Sequence, residues 1–155
     1  MTTSPDQAAD RLALRELVDR YASAVDARDA DAFAALFTPD AVLAVYERED
    51  AEPVVEYRGH EALRDVMDLL RHYSATFHLM ANHLCEIGAA DGATGETYCM
   101  AHHLTEVAGG ATDLVMYIRY RDAYARTDSG WRFARRDVMR QWTEERPAER
   151  RPLDL

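Results

Sequence analysis

The chain has 155 residues, 48% hydrophobic and 30% charged, and its 28 acidic and 18 basic side chains give a net charge of -10. This length suits one domain with its own core. The negative balance argues against a protein that binds by neutralising phosphates, so neither nucleic acid nor an anionic membrane is expected as a partner. No apolar run approaches the ~20 residues that span a bilayer.

The opening segment MTTSPDQAADRL and the cysteines indicate the compartment. The segment is polar and acidic and lacks the basic and apolar regions of a secretory signal, which predicts a cytoplasmic protein. The two cysteines, Cys85 and Cys99, are too few for a disulfide scaffold and are expected to be buried reduced thiols.

Three helices are predicted in the first half of the chain. Apolar residues recur at three- and four-residue steps over 10–27, which is typical of an amphipathic helix. They are Leu14, Leu17, Val18, Tyr21 and Val25. A second, short helix is predicted over 30–37, before Pro39, and a third between Gly59 and about position 71.

Strands are predicted between the helices and after them. Segments 41–46 and 54–57 are rich in strand formers and can pair as a hairpin. Four longer strands follow, separated by glycine-containing turns, at about 76–87, 94–107, 111–127 and 131–142. Helices followed by a strand meander predict an α+β domain with the helices on one face of a curved antiparallel sheet. One domain is expected over 1–142, and 143–155 is expected to be a tail, disordered or placed against a neighbouring subunit.

Histidines on the long strands are candidates for acid/base chemistry. Alternate strand residues face the same side, so His78 is expected to share a face with Asn82. A histidine on a largely apolar strand needs polar partners for its ring nitrogens. The neighbours His102 and His103 must face opposite sides, so at most one of them can serve the same site.

Asp26 lies at the end of the first helix, where the helix dipole disfavours a negative charge, so another group must favour it there. On a helical wheel it falls on the flank of the apolar stripe, which permits burial without requiring it. Asp29 is a competing candidate, and a solvated carboxylate beside Arg28 is the alternative interpretation of Asp26.

Five segments, in order along the chain, carry a family resemblance. They are RELVDRYASAVDARDADAFAALFTPDAV, TFHLMAN, GETYCMAHHL, IRYRDAYAR and GWRFARRDVMRQW. Together they resemble the SnoaL-like branch of the nuclear transport factor 2-like superfamily over about 11–142. The resemblance implies a cone-shaped α+β barrel, in which a curved sheet wraps around three N-terminal helices and encloses a pocket, and a homo-oligomer, either a dimer or a trimer.

Within this superfamily the sequence looks most like scytalone dehydratase and bile-acid 7α-dehydratase. Their catalytic dyad is an aspartate after the first helix and a histidine on the first long strand, and Asp26 and His78 match those positions. The resemblance adds Tyr21 and His103 as further catalytic candidates, although Tyr21 on its stripe also reads as a core aromatic.

Four further residues are candidates for substrate binding. They are Tyr46, Asn82, Tyr120 and Arg136, with Arg140 as the alternative to Arg136. Tyr46 lies within one residue of a family pocket tyrosine, and one residue in a strand reverses the face. Tyr120 stands where the scytalone enzyme has an asparagine, so that enzyme's substrate is not assumed.

These positions predict a cofactor-independent lyase, a dehydratase acting on a small cyclic, polyketide-like or steroid-like hydroxy-carbonyl compound. No HExxH motif or facing pair of histidines is present, so no metal is expected. One alternative is a polyketide-type cyclase or isomerase with the same dyad. Another is a noncatalytic module that binds a small hydrophobic ligand, because one scaffold hosts all of these functions.

Overall fold

Three helices and six strands form along residues 5–88 and 92–149, the part of the chain that the computed structural model describes. The helical elements are α1 (Pro5–Ala27), α2 (Ala30–Ala34), α3 (Gly59–Asp65) and a 3₁₀ helix (Val66–Leu70). The strands are β1 (Phe37–Glu47), β2 (Val55–Arg58), β3 (Ala75–Ile87), β4 (Gly92–Val107), β5 (Gly110–Thr127) and β6 (Gly130–Ala148). Every predicted helix and strand is present, and α2 ends early because the chain enters β1 at Phe37. No helix among these described residues is long and apolar enough to cross a membrane.

The strands form one curved, unclosed sheet in the order β2-β1-β6-β5-β4-β3. The helices cover one side of it, here called the inner face, which gives the predicted α+β cone. One pair departs from the predicted antiparallel sheet, because β1 and β6 run parallel. After the β5–β6 hairpin, β6 returns beside β1 in the direction of β1, so the sheet is mixed.

The core lies between α1 and the inner face of the sheet. Leu14 and Val18 on the predicted stripe are fully buried. Tyr21 sits among aromatic rings, with its centroid 5.3 Å from that of Phe33 and 6.0 Å from that of Phe133. These spacings are typical of favourable aromatic pairs. The periodicity of the first helix therefore identified the buried face correctly.

Helix α1 also covers the free edge of β3. Arg11 donates to the Cys85 carbonyl oxygen at 2.5 Å. Arg15 donates to the carbonyl oxygens of Met80 and Ala81 at 3.2 and 2.6 Å. Backbone groups on an edge strand otherwise need water or another strand as partners. These bonds hold α1 along β3 and place the last turn of the helix beside the start of the strand.

A β-bulge in β3 reverses the alternation of its side chains. The strand pairs regularly with β4 as far as Met80 and again from His83, with an irregular step between them. One extra residue in a strand moves all later side chains to the opposite face. His78 and His83 therefore both face inward, and Asn82 is exposed. The prediction that Asn82 shares a face with His78 is wrong for this reason.

Strand β6 continues past the predicted end of the domain. It runs to Ala148, which pairs with Ala111 of β5. Backbone pairing does not depend on apolar side chains, and charged residues suit an exposed strand end. The predicted end of the last strand at 142 is therefore too early, although the side chains of 143–147 are exposed as expected of a segment outside the core, and 150–155 lie outside the described residues.

Candidate active site

The side chains of Asp26 and His78 meet where the end of α1 lies against the start of β3. Oδ1 of Asp26 is 2.7 Å from Nδ1 of His78, and Oδ2 accepts a hydrogen bond from the His78 backbone N–H at 2.9 Å. Thr76, two residues before His78 and on the same face, donates its hydroxyl to Oδ1 at 2.9 Å. The two side chains are therefore in direct contact, while their catalytic role stays a prediction.

Three donors converge on the Asp26 carboxylate. Burial alone would raise its pKa, but hydrogen bonds from the side chain and backbone of His78 and from Thr76 outweigh burial, so the pKa of Asp26 lies below its ordinary value. These bonds explain how a negative charge is accommodated at the unfavourable end of a helix dipole. An ionised carboxylate only accepts hydrogen bonds, so Nδ1 of His78 carries a proton, and in the neutral ring the lone pair lies on Nε2.

The His78 ring is enclosed. Its side chain is 7% exposed, against 25% for Asp26, and Nε2 makes no hydrogen bond with the described residues. The His103 ring lies 5.6 Å away, edge to face, and Tyr73 packs on His103 at 4.7 Å. Burial, and then the neighbouring His78, lower the pKa of His103 to about 4, so His103 is neutral at physiological pH. His103 therefore adds no charge beside the His78 ring.

The competing candidates have other partners. Asp29 caps α2, where its carboxylate accepts the Ala32 N–H at 2.9 Å. His102 points to the outer face of the sheet, where its Nδ1 is 2.8 Å from Oδ2 of Asp113. His102 and His103 face opposite sides, as alternation predicts, and His103 is the one beside His78.

Two phenols and a thiol lie in the interior near the dyad. The rings of Tyr21 and Tyr120 are 5.6 Å apart, and the Tyr120 hydroxyl contacts both the Tyr21 hydroxyl and the Cys99 thiol. Burial raises the pKa of Tyr21 to about 12 and that of Tyr120 well above its ordinary value. Burial, with a smaller contribution from the Asp26 charge, raises the pKa of Cys99 to about 12. All three groups stay protonated at neutral pH and can donate hydrogen bonds.

Arg136 is fully buried in an ion pair. Its Nε and Nη2 donate to the two carboxylate oxygens of Asp122, each at 2.8 Å. Its guanidinium lies 4.1, 4.2 and 4.1 Å from the ring centroids of Tyr21, Tyr120 and Phe133. Burial by itself would lower the pKa of Arg136, but the Asp122 carboxylate raises it above the ordinary value. Of the three guanidinium nitrogens of Arg136, Nη1 alone has no hydrogen-bond partner among the described residues. Most of the hydrogen-bonding capacity of Arg136 is therefore used within the protein.

Three candidates lie away from the dyad. Tyr46 follows Val45, which packs against the core, so alternation places Tyr46 on the outer face. Asn82 is exposed because of the bulge. Arg140 donates to the Glu47 carboxylate at 3.1 Å. The structure does not bring these three side chains to the dyad.

Comparison with known proteins agrees with this architecture. The family model of the SnoaL-like domain matches residues 6–137. The chain belongs to the SnoaL-like domain family. Its uncharacterized relative Rv2910c from Mycobacterium tuberculosis is 27% identical over 129 residues, 83% of each chain.

Solved structures show that this SnoaL-like domain has the nuclear transport factor 2-like fold. A hexachlorocyclohexane dehydrochlorinase, LinA type 2, has a TM-score of 0.79 at 21% identity, covering 97% of this chain and 98% of that chain. A scytalone dehydratase-like protein from Novosphingobium aromaticivorans DSM 12444 has a TM-score of 0.76 at 20% identity, covering 95% of each chain. Identities this low show a shared fold.

Sequence reasoning missed three residues of this SnoaL-like site. Thr76 could have been found, because alternation places it on the same face as His78. The sequence indicates Arg28 only as a solvated neighbour of Asp26, because its contacts depend on a left-handed backbone conformation that arginine rarely adopts. Tyr73 gave no signal, because its ring reaches His103 only through the turn after the 3₁₀ helix.

The interior of the SnoaL-like domain contains side chains that can form hydrogen bonds with an organic ligand. In residues 5–88 and 92–149, no group of three or more His, Cys, Asp or Glu side chains is placed to hold a metal ion. The inward polar groups beside the dyad are imidazole, phenol and thiol, which match carbonyl and hydroxyl groups of an organic molecule.

Proposed function

We propose that this SnoaL-like protein is a lyase that removes water from a small cyclic hydroxy-carbonyl compound without a cofactor. The observation that carries the proposal is the enclosed Asp26–His78 pair, in which the carboxylate contacts Nδ1 and Nε2 makes no hydrogen bond with the described residues. A histidine whose tautomer is fixed by a carboxylate on Nδ1 is suited to act as a general base through Nε2. Two solved structures with the same fold bear the names dehydrochlorinase and dehydratase, and both names describe eliminations.

In the proposed reaction, Nε2 of His78 takes the proton from the carbon next to the substrate carbonyl. The electrons of that C–H bond form an enolate, and the resulting imidazolium is stabilised by Asp26. The enolate then expels the hydroxyl group from the neighbouring carbon, and the imidazolium returns the proton to it. One C–H and one C–O bond break, a C=C bond forms and water leaves, so His78 serves as both base and acid.

The enolate oxygen needs a hydrogen-bond donor. Tyr120 and Tyr21 remain protonated at neutral pH and lie inside the cone, so their hydroxyl groups suit this role. Tyr46 is not part of the proposal, because it lies on the outer face. The neutral His103 is a further uncharged polar neighbour of His78.

The substrate class follows from the side chains beside His78. Met80, Cys99, Ala101 and Ile118 are buried on the same face, and they surround the base with apolar surface. Such a lining favours a small hydrophobic ring over a charged or sugar-like molecule. The deep pocket predicted beside the dyad stays a prediction.

The test is turnover of a panel of cyclic β-hydroxy ketones, followed by mass spectrometry for loss of water. The His78→Ala variant is compared with His102→Ala, which removes the other carboxylate-bound histidine. The proposal expects turnover by the parent protein and by His102→Ala, and none by His78→Ala.

Other outcomes select an alternative. A product of unchanged mass with a moved double bond or a new ring indicates an isomerase or cyclase with the same dyad. Ligand binding without turnover, equal in the parent protein and in His78→Ala, indicates a noncatalytic binding module.

We also propose that the protein is a homo-oligomer in which outer faces meet. Leu79, Met100, Tyr117 and Trp142 lie in one row across four strands of the outer face. Leu79 is 49% and Trp142 56% exposed, and the nearby Phe77 is 63% exposed. Contiguous exposed apolar surface is typical of an interface. Sedimentation equilibrium of the parent protein and of Trp142→Glu tests this: a parent monomer contradicts it, and dissociation of a dimer or trimer by the substitution supports it.

A further inference from the structure

Arg28 is connected to the dyad through Thr76. Its Nη1 donates to the Thr76 hydroxyl oxygen at 2.8 Å and lies 3.4 and 3.3 Å from the carbonyl oxygens of Val25 and Asp26. Its Nη2 lies 3.4 Å from the Tyr73 carbonyl oxygen. One guanidinium thus joins the end of α1, the turn before β3 and the hydroxyl group next to the carboxylate.

The backbone at Arg28 has an unusual conformation. Its φ of 57° lies in the left-handed region, directly after the last turn of α1. The Arg28 N–H bonds the Val25 carbonyl oxygen at 3.1 Å, and the Asp29 N–H bonds that of Ala24 at 3.0 Å, which is a helix-ending pattern that normally carries glycine. An arginine is strained here, and its side-chain bonds are what glycine cannot provide.

The direction of each hydrogen bond in this series is determined. Guanidinium only donates, so the Thr76 oxygen accepts from Arg28 and the Thr76 O–H is free to donate to Oδ1 of Asp26. The carboxylate only accepts, so it takes its other bonds from the N–H groups of His78. Reversal of any one bond would leave two donors or two acceptors facing each other.

We propose that Arg28 and Thr76 are positioning residues, which act through Asp26 to hold the carboxylate in the orientation that fixes the proton on Nδ1 of His78. The inference rests on the proposed function for its catalytic consequence, and on the hydrogen bonds alone for its structural one. Neither residue needs to touch the substrate, so their loss should lower kcat and leave KM unchanged.

The groups that face Asp26 come from three elements. They are His78 and Thr76 on β3, Cys99 and His103 on β4, and Arg28 at the end of α1. Arg28 also lines a surface cleft of about 610 Å³ together with Arg64 and Arg71. The space left by truncating the Arg28 side chain is therefore continuous with this cleft, and no closed cavity forms in the core.

The chain offers a matched pair of variants. Arg28→Gly removes the guanidinium and relieves the left-handed strain. Arg48→Gly does the same at the other described arginine with positive φ, 55°, where the backbone N–H bonds Arg140. Arg48→Gly should match or exceed the parent in thermal unfolding midpoint, and in Arg28→Gly the relief of strain should offset part of the stability lost with the side-chain hydrogen bonds. A titration of the Asp26 carboxyl carbon by NMR then compares them.

In Arg28→Gly, the pKa of Asp26 is expected to rise toward its ordinary value, because the Thr76 hydroxyl is no longer held toward the carboxylate. Arg48→Gly should leave that pKa unchanged. Thr76→Val removes the same hydroxyl and should give the same rise, while Thr76→Ser should restore the parent value. The Arg28→Gly, Thr76→Val double variant should show no further rise, because both changes remove one series of bonds.

With a substrate in hand, kcat should fall about tenfold in Arg28→Gly and Thr76→Val, as expected for loss of a hydrogen bond to a charged group. An unchanged Asp26 titration in Thr76→Val overturns the inference, and it does so even if Arg28→Gly fails to fold. Equal effects of Arg28→Gly and Arg48→Gly also overturn it. The titration needs no substrate, so a failed lyase assay contradicts the proposed function and leaves this result intact.

Discussion

The described part of the chain contains two histidine–carboxylate pairs of nearly identical length on opposite faces of one sheet. The inner pair, His78 with Asp26, has an Nδ1 to oxygen distance of 2.7 Å, and the outer pair, His102 with Asp113, has one of 2.8 Å. The distance between the histidine and the carboxylate therefore does not distinguish the two pairs. Any search by this distance alone would return both.

Their surroundings differ. The His78 ring is 7% exposed and faces a neutral imidazole, whereas the His102 side chain is 25% exposed. Among the described residues, the donors to the Asp26 carboxylate are His78 and Thr76, whereas Asp113 also takes an ion pair from Arg146 at 3.4 Å. Enclosure, rather than the pair itself, makes a base useful, because a substrate must be desolvated beside it.

The largest expected effect distinguishes the two histidines. His78→Gln should lower kcat/KM by about 10²- to 10⁴-fold, which is the usual contribution of a general base. His102→Gln should leave kcat/KM within a factor of about two, because its ring faces the outside of the sheet. Steady-state kinetics on the substrate found by the panel check this, and equal losses in both variants would remove the distinction between the pairs.

The second comparison concerns the carboxylates. Asp26→Asn should reduce kcat by roughly a hundredfold or more, because an amide presents a donor where two N–H groups of His78 need acceptors. Asp113→Asn should lower stability and leave kcat unchanged. Turnover is measured beside urea unfolding, and a normal kcat in Asp26→Asn would contradict the assigned role of Asp26.

The third comparison concerns pH and the two adjacent histidines. The pKa of His103 is lowered from 6.5 to about 4 in the folded state, so between these values only the unfolded chain takes up this proton. The contribution of His103 to the free energy of unfolding is then fully present above pH 6.5 and falls by about 3 kcal/mol on acidification to about pH 4, at ~1.4 kcal/mol per pH step. His103→Gln should lose this part of the pH dependence, and His102→Gln should keep it. Urea unfolding across this pH range measures the difference, and parallel curves for the parent and His103→Gln would contradict the burial argument.

The smallest expected effect belongs to the outer ion pair. The Arg146 side chain is 53% exposed, so Arg146→Gln should change the free energy of unfolding by less than about 1 kcal/mol. High salt should reduce this difference further. A loss of unfolding free energy several times larger would contradict this expectation, because it would show that the Asp113 carboxylate depends strongly on Arg146.

The fold and the Asp26–His78 contact could be predicted, because both depend on regular periodicity and on a family resemblance. Helical spacing identified the buried face that carries Leu14 and Val18, since a helix keeps its period along its length. Alternation along strands held for His102 and His103, where β4 is regular.

Each of the remaining errors has a local structural cause. Asn82 lies beyond a bulge, and a bulge is set by pairing with a strand that is distant in sequence. Tyr46 was off by one position, which in a strand reverses the face. Arg28 was missed because its role depends on a backbone strain that tertiary bonds maintain.

The bond between Oδ2 of Asp26 and the His78 backbone N–H has a practical consequence. This amide lies on the free edge of the sheet, so its protection from solvent deuterium depends on that one carboxylate. Its exchange rate therefore reports whether helix and strand are docked, and with them whether the dyad is assembled. A single amide signal can follow the integrity of the site in any variant, before a substrate is known.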